Sequence, residues 1–252
     1  MERAVGYLNR SQPGEVRIEH INLIPFMGFP DVAVQLKNVS FYESSVNEDS
    51  LYREPILSLN EIYVALDVID LIRGDVNISR ARLEDGNIRI EVYGDSVTNL
   101  ESALGIRFGE EDDREEEQGL PSIRVDLQKL RLSNIQLVMQ DRVRKDHFHL
   151  MVNSLQNRFS YLPEQIETDI KLDLEIKSFN YQTIRSEEHR NIQLESDLSF
   201  DRMTNMMTIH PSSLSLSGLS LEVWGSSELQ EEIDLDLGFR ATNTGLDVLN
   251  YL

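Results

Sequence analysis

Apolar residues recur at every second position along most of this chain. Ile62, Val64, Leu66 and Val68 do so first with clarity, followed by Val76 and Ile78, then by Ile88, Ile90 and Val92. That is the period of half-buried strands. Ile170, Leu172, Leu174 and Ile176 alternate with Lys171, Asp173, Glu175 and Lys177, so one face of that strand is apolar and the other charged. Gly74 and Gly86 stand at the breaks between apolar runs.

The alternation repeatedly slips by one position. Val16 and Ile18 give way to Ile21 and Leu23, Val34 and Leu36 to Val39 and Phe41, and Leu130 and Leu132 to Ile135 and Leu137. Leu174 and Ile176 precede Phe179 and Tyr181 in the same way, as Leu214 and Leu216 precede Leu219 and Leu221. On a helix these positions scatter around the circumference. On a strand the extra residue sends later side chains to the wrong face unless a bulge absorbs it. The pattern therefore predicts long, bulged strands in a strongly curved sheet. Short strands joined by tight turns are the alternative, best supported at Ser217-Gly218.

Helix is scarce. Asp70 to Arg73 predicts one turn before Gly74, and Ser96 to Leu104 a short helix with Ser96 as N-cap and Gly105 as stop. The text from Gly109 to Gly119 is GEEDDREEEQG, a like-charged run that buries nothing. Three regions follow: a β module over 1–108, an acidic linker or loop over 109–119, and further β repeats over 120–252. So many one-sided strands need a cover that the few helical residues cannot supply. The sheet closes as a sandwich or barrel, or its apolar face lines a groove that something else fills.

Composition narrows the chemistry. Lys and Arg total 24 against 44 Asp and Glu, for a formal charge of -20, which disfavours nucleic acid. There is no cysteine, hence no disulfide or thiolate chemistry. No Walker loop, Gly-x-Ser-x-Gly elbow or His-Glu-x-x-His helix is present. His147 and His149 share one side of a strand but lack a clear third ligand, and the acidic run lacks the spacing of a calcium loop. Asp234 and Asp236 read as a solvated face, and Trp224 as packing. No cofactor, metal site or catalytic residue is expected, so the chain reads as a non-enzyme.

The order of motifs in ILSLNEIYVALDVIDLIRGDVNISRARLEDGNIRIEVYGDSVTNLESALG resembles the N-terminal part of AsmA-like proteins. It has a strand, an Asp-Leu-Ile connector closed by Gly74, the strand Val76 to Leu83, a Gly86 turn, another strand, and Asn99-Leu100 opening the last turn. Phe29-Pro30 followed by Val34, Leu36 and Asn38-Val39 is similar to the family's first strands. SNIQLVMQD, GLSLEVWGSSEL and IDLDLGFRATNTGLDVLNYL extend the likeness over nearly the whole chain. The resemblance implies an elongated antiparallel sheet folded into a taco-like hydrophobic groove. It also implies a periplasmic location, anchored to the inner membrane through an N-terminal helix outside this sequence, which then reads as a piece of a longer protein, a short relative being the alternative. The implied work is phospholipid transport between inner and outer membrane and outer-membrane biogenesis.

On this reading Ile62, Val64, Leu66, Ile88, Ile90, Val92, Ile170, Leu172, Leu174, Ile176, Leu235 and Leu237 line the groove and meet phospholipid acyl chains. Two other functions fit the pattern. One is an assembly factor that holds outer-membrane proteins by exposed strand edges; the other is a closed β-sandwich that binds glycans or protein.

Overall fold

In the computed structural model the described residues are 6, 9, 12–24, 31–43, 54–67, 76–94, 97–105, 123–186, 189–229 and 233–243. The alternating runs become β1 (Glu15–Ile24), β2 (Asp31–Tyr42), β3 (Leu57–Asp67), β4 (Val76–Val92), β5 (Ile123–Asp141), β6 (His147–Tyr161) and β7 (Gln165–Tyr181). A short β8 (Ile184–Ser186) follows, then β9 (Arg190–Asp201), β10 (Met206–Leu216), β11 (Leu219–Leu229) and β12 (Ile233–Asn243). The helix α1 (Asn99–Leu104) lies between β4 and β5.

All twelve strands join one sheet in the order β1-β2-β3-β4-β5-β6-β7-β9-β10-β11-β12, with β8 paired to β7. The fold is mainly β, and among the described residues the sheet does not close, since β1 and β12 are its two edges. Closure into a barrel is thereby set aside.

Neighbours are antiparallel except β4 and β5, which run parallel over Val76↔Ile123 to Val92↔Asp141. An all-antiparallel sheet is therefore corrected at its centre. Alternation cannot reveal this, because a one-sided strand reads the same whichever way its neighbour runs. A parallel pair needs a long crossover, and this one carries α1. The acidic run 109–119 lies outside the described residues, as do Val68, Asp70 to Gly74, Gly28 and Pro30.

The phase slips are kinks in place. Asn38, Asp85 and Asn134 have φ of 51°, 51° and 55°, the left-handed region that Asn and Asp tolerate best. Each is skipped by the ladder, as are Asn60 and Asn153 on the intervening strands. The matched kinks keep β1 to β6 in step. Asn38 Nδ2 donates to Glu19 Oε2 at 2.6 Å, Asn134 Nδ2 to Asp85 Oδ1 at 3.0 Å, and Asn153 Nδ2 to Asp173 Oδ1 at 2.9 Å.

In β7 no residue is inserted between Leu172 and Leu174, so the register shifts there, and a second shift next to Ile176 moves its slip to Lys177. The slip between Leu216 and Leu219 is a different object. Ser217 and Gly218, with φ of 47° and 96°, form a two-residue hairpin turn between β10 and β11, so the tight-turn alternative holds at that one place.

Two glycine and helix expectations are corrected as well. Gly86 is no turn; β4 runs through it without interruption from Val76 to Val92. The helix starts at Asn99 with Thr98 as N-cap, two residues beyond Ser96. Thr98 accepts from the Glu101 amide while the Glu101 carboxylate accepts from the Thr98 amide, a reciprocal capping box. Gly105 ends the helix with φ 67°, as its position predicts.

Candidate functional site

The registers line up apolar side chains from strand to strand. One row runs Ile21, Leu36, Ile62, Leu83, Leu132, Leu155, Leu172, Leu194, Leu214, Leu221 and Ala241, from β1 to β12 without a polar member. The row beside it runs Ile18, Val39, Leu59, Gly86, Ile135, Val152, Leu174, Ile192, Leu216 and Leu219. At ~4.8 Å between strands, ten steps make a track of roughly 48 Å along the sheet.

This face is only partly covered. Of its large side chains Leu59 and Ile135 are nearly inaccessible, whereas Ile62, Leu83, Leu132, Leu155, Leu172 and Leu174 pack around them half-buried. One corner has a lid. There α1 lays Leu100, Ala103 and Leu104 against Val16, Phe41, Ile56 and Leu57, and Ala103 is fully buried. No second layer covers the rest of the face among the described residues.

The predicted lining residues distribute over this face. Ile62 and Leu172 belong to the first row and Leu174 to the second. Val64 and Ile170 stand in the row above, Ile88 and Ile176 in the row below. Leu66 pairs with Ile78, Ile90 with Met139 and Val92 with Asp141. Leu237 lies opposite Gly225 near the β12 edge and Leu235 opposite Ser227; the side chain of Leu235 is outside the described residues. The structure thus brings most of the predicted set onto one surface, and adds Leu36, Leu83, Leu132, Leu155, Leu194, Leu214 and Leu221. Their alternation was the available signal. What alternation lacks is which strands are neighbours and in what register.

The row above is not uniformly apolar. Asn157, Ser196 and Ser212 occupy it on β6, β9 and β10, and each has a hydrogen-bond partner close by. Thr168 Oγ1 donates to Asn157 Oδ1 at 2.9 Å, the two serine hydroxyls are 2.8 Å apart, and Ser212 Oγ donates to the His210 carbonyl at 2.6 Å. Buried hydroxyls paired in this way cost little. At the lower margin Arg190 faces Ile176.

The opposite face carries the charge. Lys37, Glu61 and Tyr63 cluster there, and hydrogen bonds from Tyr63 and Lys37 hold the Glu61 carboxyl below its ordinary range. Lys177 and His189 do the same for Glu175. Asp169 and Asp197 are direct ladder partners. A hydrogen bond shared with Asp169 raises the Asp197 carboxyl, desolvation and charge repulsion adding to it. A shallow depression of about 370 Å³ at this pair is lined by Lys129, Arg158, Lys171 and Glu195 among others.

His149 Nε2 is engaged with Gln136 Nε2 at 2.9 Å, and no trio of metal-ligating side chains occurs among the described residues. Trp224 packs on the outer face, 38% exposed, over Gly238 and beneath Arg240. No helix among the described residues is long and apolar enough to cross a membrane. No protein-family model matches this chain, and no curated protein matches it.

Proposed function

We propose that the chain is a lipid-conducting module, a stretch of hydrophobic groove that passes phospholipid between membranes without catalysis. The observation that supports this most is the unbroken apolar row from Ile21 to Ala241 on a sheet that does not close. Moving an acyl chain of ~15 methylenes into water costs roughly 12 kcal/mol at about 0.8 kcal/mol per methylene. A continuous apolar floor offsets much of that at every step, so no energy-coupling motif is required within this segment. Headgroups stay in water along the open side, which makes a pocket of fixed polar ligands unnecessary. In this reading the sheet curls into a taco-like groove as an AsmA-like protein would, in the periplasm, tethered to the inner membrane by a segment outside this sequence, and it supports outer-membrane biogenesis.

The test is direct. The purified chain is extracted with organic solvent and its bound lipid identified by mass spectrometry, with a protein of similar charge purified from the same cells as control. Phospholipid in stoichiometric amount, absent from the control, supports the proposal; a chain free of lipid after purification without detergent, and unable to take up lipid from vesicles, opposes it.

A further inference from the structure

The last strand of the sheet ends on chemistry that no partner within the described residues answers. Among the described residues β12 pairs with β11 on one side only, and its other backbone edge is an open ladder. Leu237 and Phe239 on its inner face are 41% and 75% exposed, the second far more than the half-buried members of the same row on the central strands. Natural edges of this kind are blunted by lysine, proline or a bulge. β12 has none of these between Ile233 and Gly238, and its ladder with β11 is regular from Leu221↔Ala241 onward.

We infer that β12 is a self-complementary interface and pairs antiparallel with β12 of a second copy about a two-fold axis at Gly238. Exposure and charge along the strand favour this register. With Gly238 opposite Gly238, Leu237 meets Phe239 of the partner twice on the inner face, covering the two exposed side chains. On the outer face Asp236 meets Arg240 twice. Arg240 already pairs with Glu222 on β11 and lies 6.0 Å above the Trp224 ring, so the new row alternates Glu222, Arg240, Asp236. Moving the axis to Leu237 pairs Asp234 with Arg240 instead and leaves Asp236 opposite Gly238, and moving it to Asp236 sets two aspartates face to face.

Gly238 suits the axis for a second reason. A Cβ there would stand 2.4 Å from the Trp224 ring, so the outer face at the axis is filled by the indole rather than by a side chain of β12. The other edge of the sheet offers no equal match. β1 closes its charges on itself through Arg17 and Glu15 at 2.7 Å, and Glu19 interrupts its ladder. Pairing of like with like makes a closed dimer, whereas β12 on β1 would propagate as a filament.

Sedimentation of the whole chain tests this. The wild type is expected at twice its 29.0 kDa mass, and the Asp236→Arg and Arg240→Asp chains, which place like charges opposite each other, each at the monomer mass. Mixed in equal amounts, those two chains should regain the dimer, because each now complements the other. Circular dichroism confirms that both variants remain β-structured; the rescue in the mixture reads the interface even if one variant is weakened. A monomeric wild type, variants that still dimerise alone, or a mixture that stays monomeric would each overturn the inference.

Discussion

Leu59 and Ile135 stand on either side of Gly86 in one row of the sheet, and each is 1% exposed. The two most deeply buried large side chains among the described residues meet across a residue with no side chain. A Cβ at Gly86 would lie 2.3 Å from the Ser58 carbonyl oxygen and 2.5 Å from Leu59 Cδ2. The glycine is therefore a close-approach residue, where two strands and two side chains use the space a methyl would take.

Gly86→Ala should destabilise the fold by about 3 kcal/mol, because the oxygen it meets belongs to backbone and cannot rotate away. Chemical denaturation would read this as a lower midpoint with unchanged slope. A midpoint equal to wild type would mean that β3 and β4 are not packed as described.

Thr98→Ala should cost about 1 kcal/mol, the usual worth of an N-cap. The loss acts through α1, whose Ala103 seals the corner formed by Phe41 and Ile56. Hydrogen exchange should quicken first at the α1 amides and at the ladder of β1 with β2. Uniform quickening across the sheet would show that the helix is not a separable lid.

Two aspartates near one another should respond to pH with opposite sign. Asp197 has its pKa raised in the folded chain by Asp169, so the folded state gains relative stability as pH falls through the carboxylate range. Asp201 has its pKa lowered by the Thr204 and Met203 amides, so its contribution is present at neutral pH and lost on acidification. Asp197→Asn should thus raise the thermal midpoint slightly at pH 7 and Asp201→Ala should lower it. Both differences should shrink on acidification. Both groups are exposed, so shifts of more than a few degrees would contradict this account.

Much of the sheet was legible in the sequence, and the reasons for the rest are physical. The slip from Leu36 to Val39 reads as a kink because Asn38 can occupy the left-handed region, and the same holds at Asn134. Gly86 misleads, since a glycine that permits a turn and one that permits close packing look alike until its neighbours Ser58 and Leu59 are known. The parallel pairing of β4 and β5 leaves no mark on alternation. For the candidate site, parity identified Leu172 and Ile62 as members of an apolar face. That they belong to one row across eleven strands depends on registers set by backbone hydrogen bonds, which no side-chain pattern encodes. Trp224 does pack, but which surface it packs on was not legible, because only the bare surface of Gly238 opposite it explains why an indole sits on the polar side.

The central claim is that the apolar face is an open lipid track, and Leu172 is the place to challenge it. It lies midway along the first row between Leu155 and Leu194, half-buried, with charged residues on both sides of it in sequence. In a sealed core Leu172→Asp would leave an unpaired carboxylate and cost several kcal/mol, enough to unfold a domain of ordinary stability. On an open face the carboxylate reaches water and the sheet survives, while the track is broken. The measurement is lipid bound per chain, by extraction and mass spectrometry, alongside the thermal melt of the same sample. The account predicts a cooperative melt, β-type circular dichroism and lipid reduced at least tenfold relative to wild type. A folded Leu172→Asp chain that carries as much lipid as wild type, or one that unfolds outright, would contradict it.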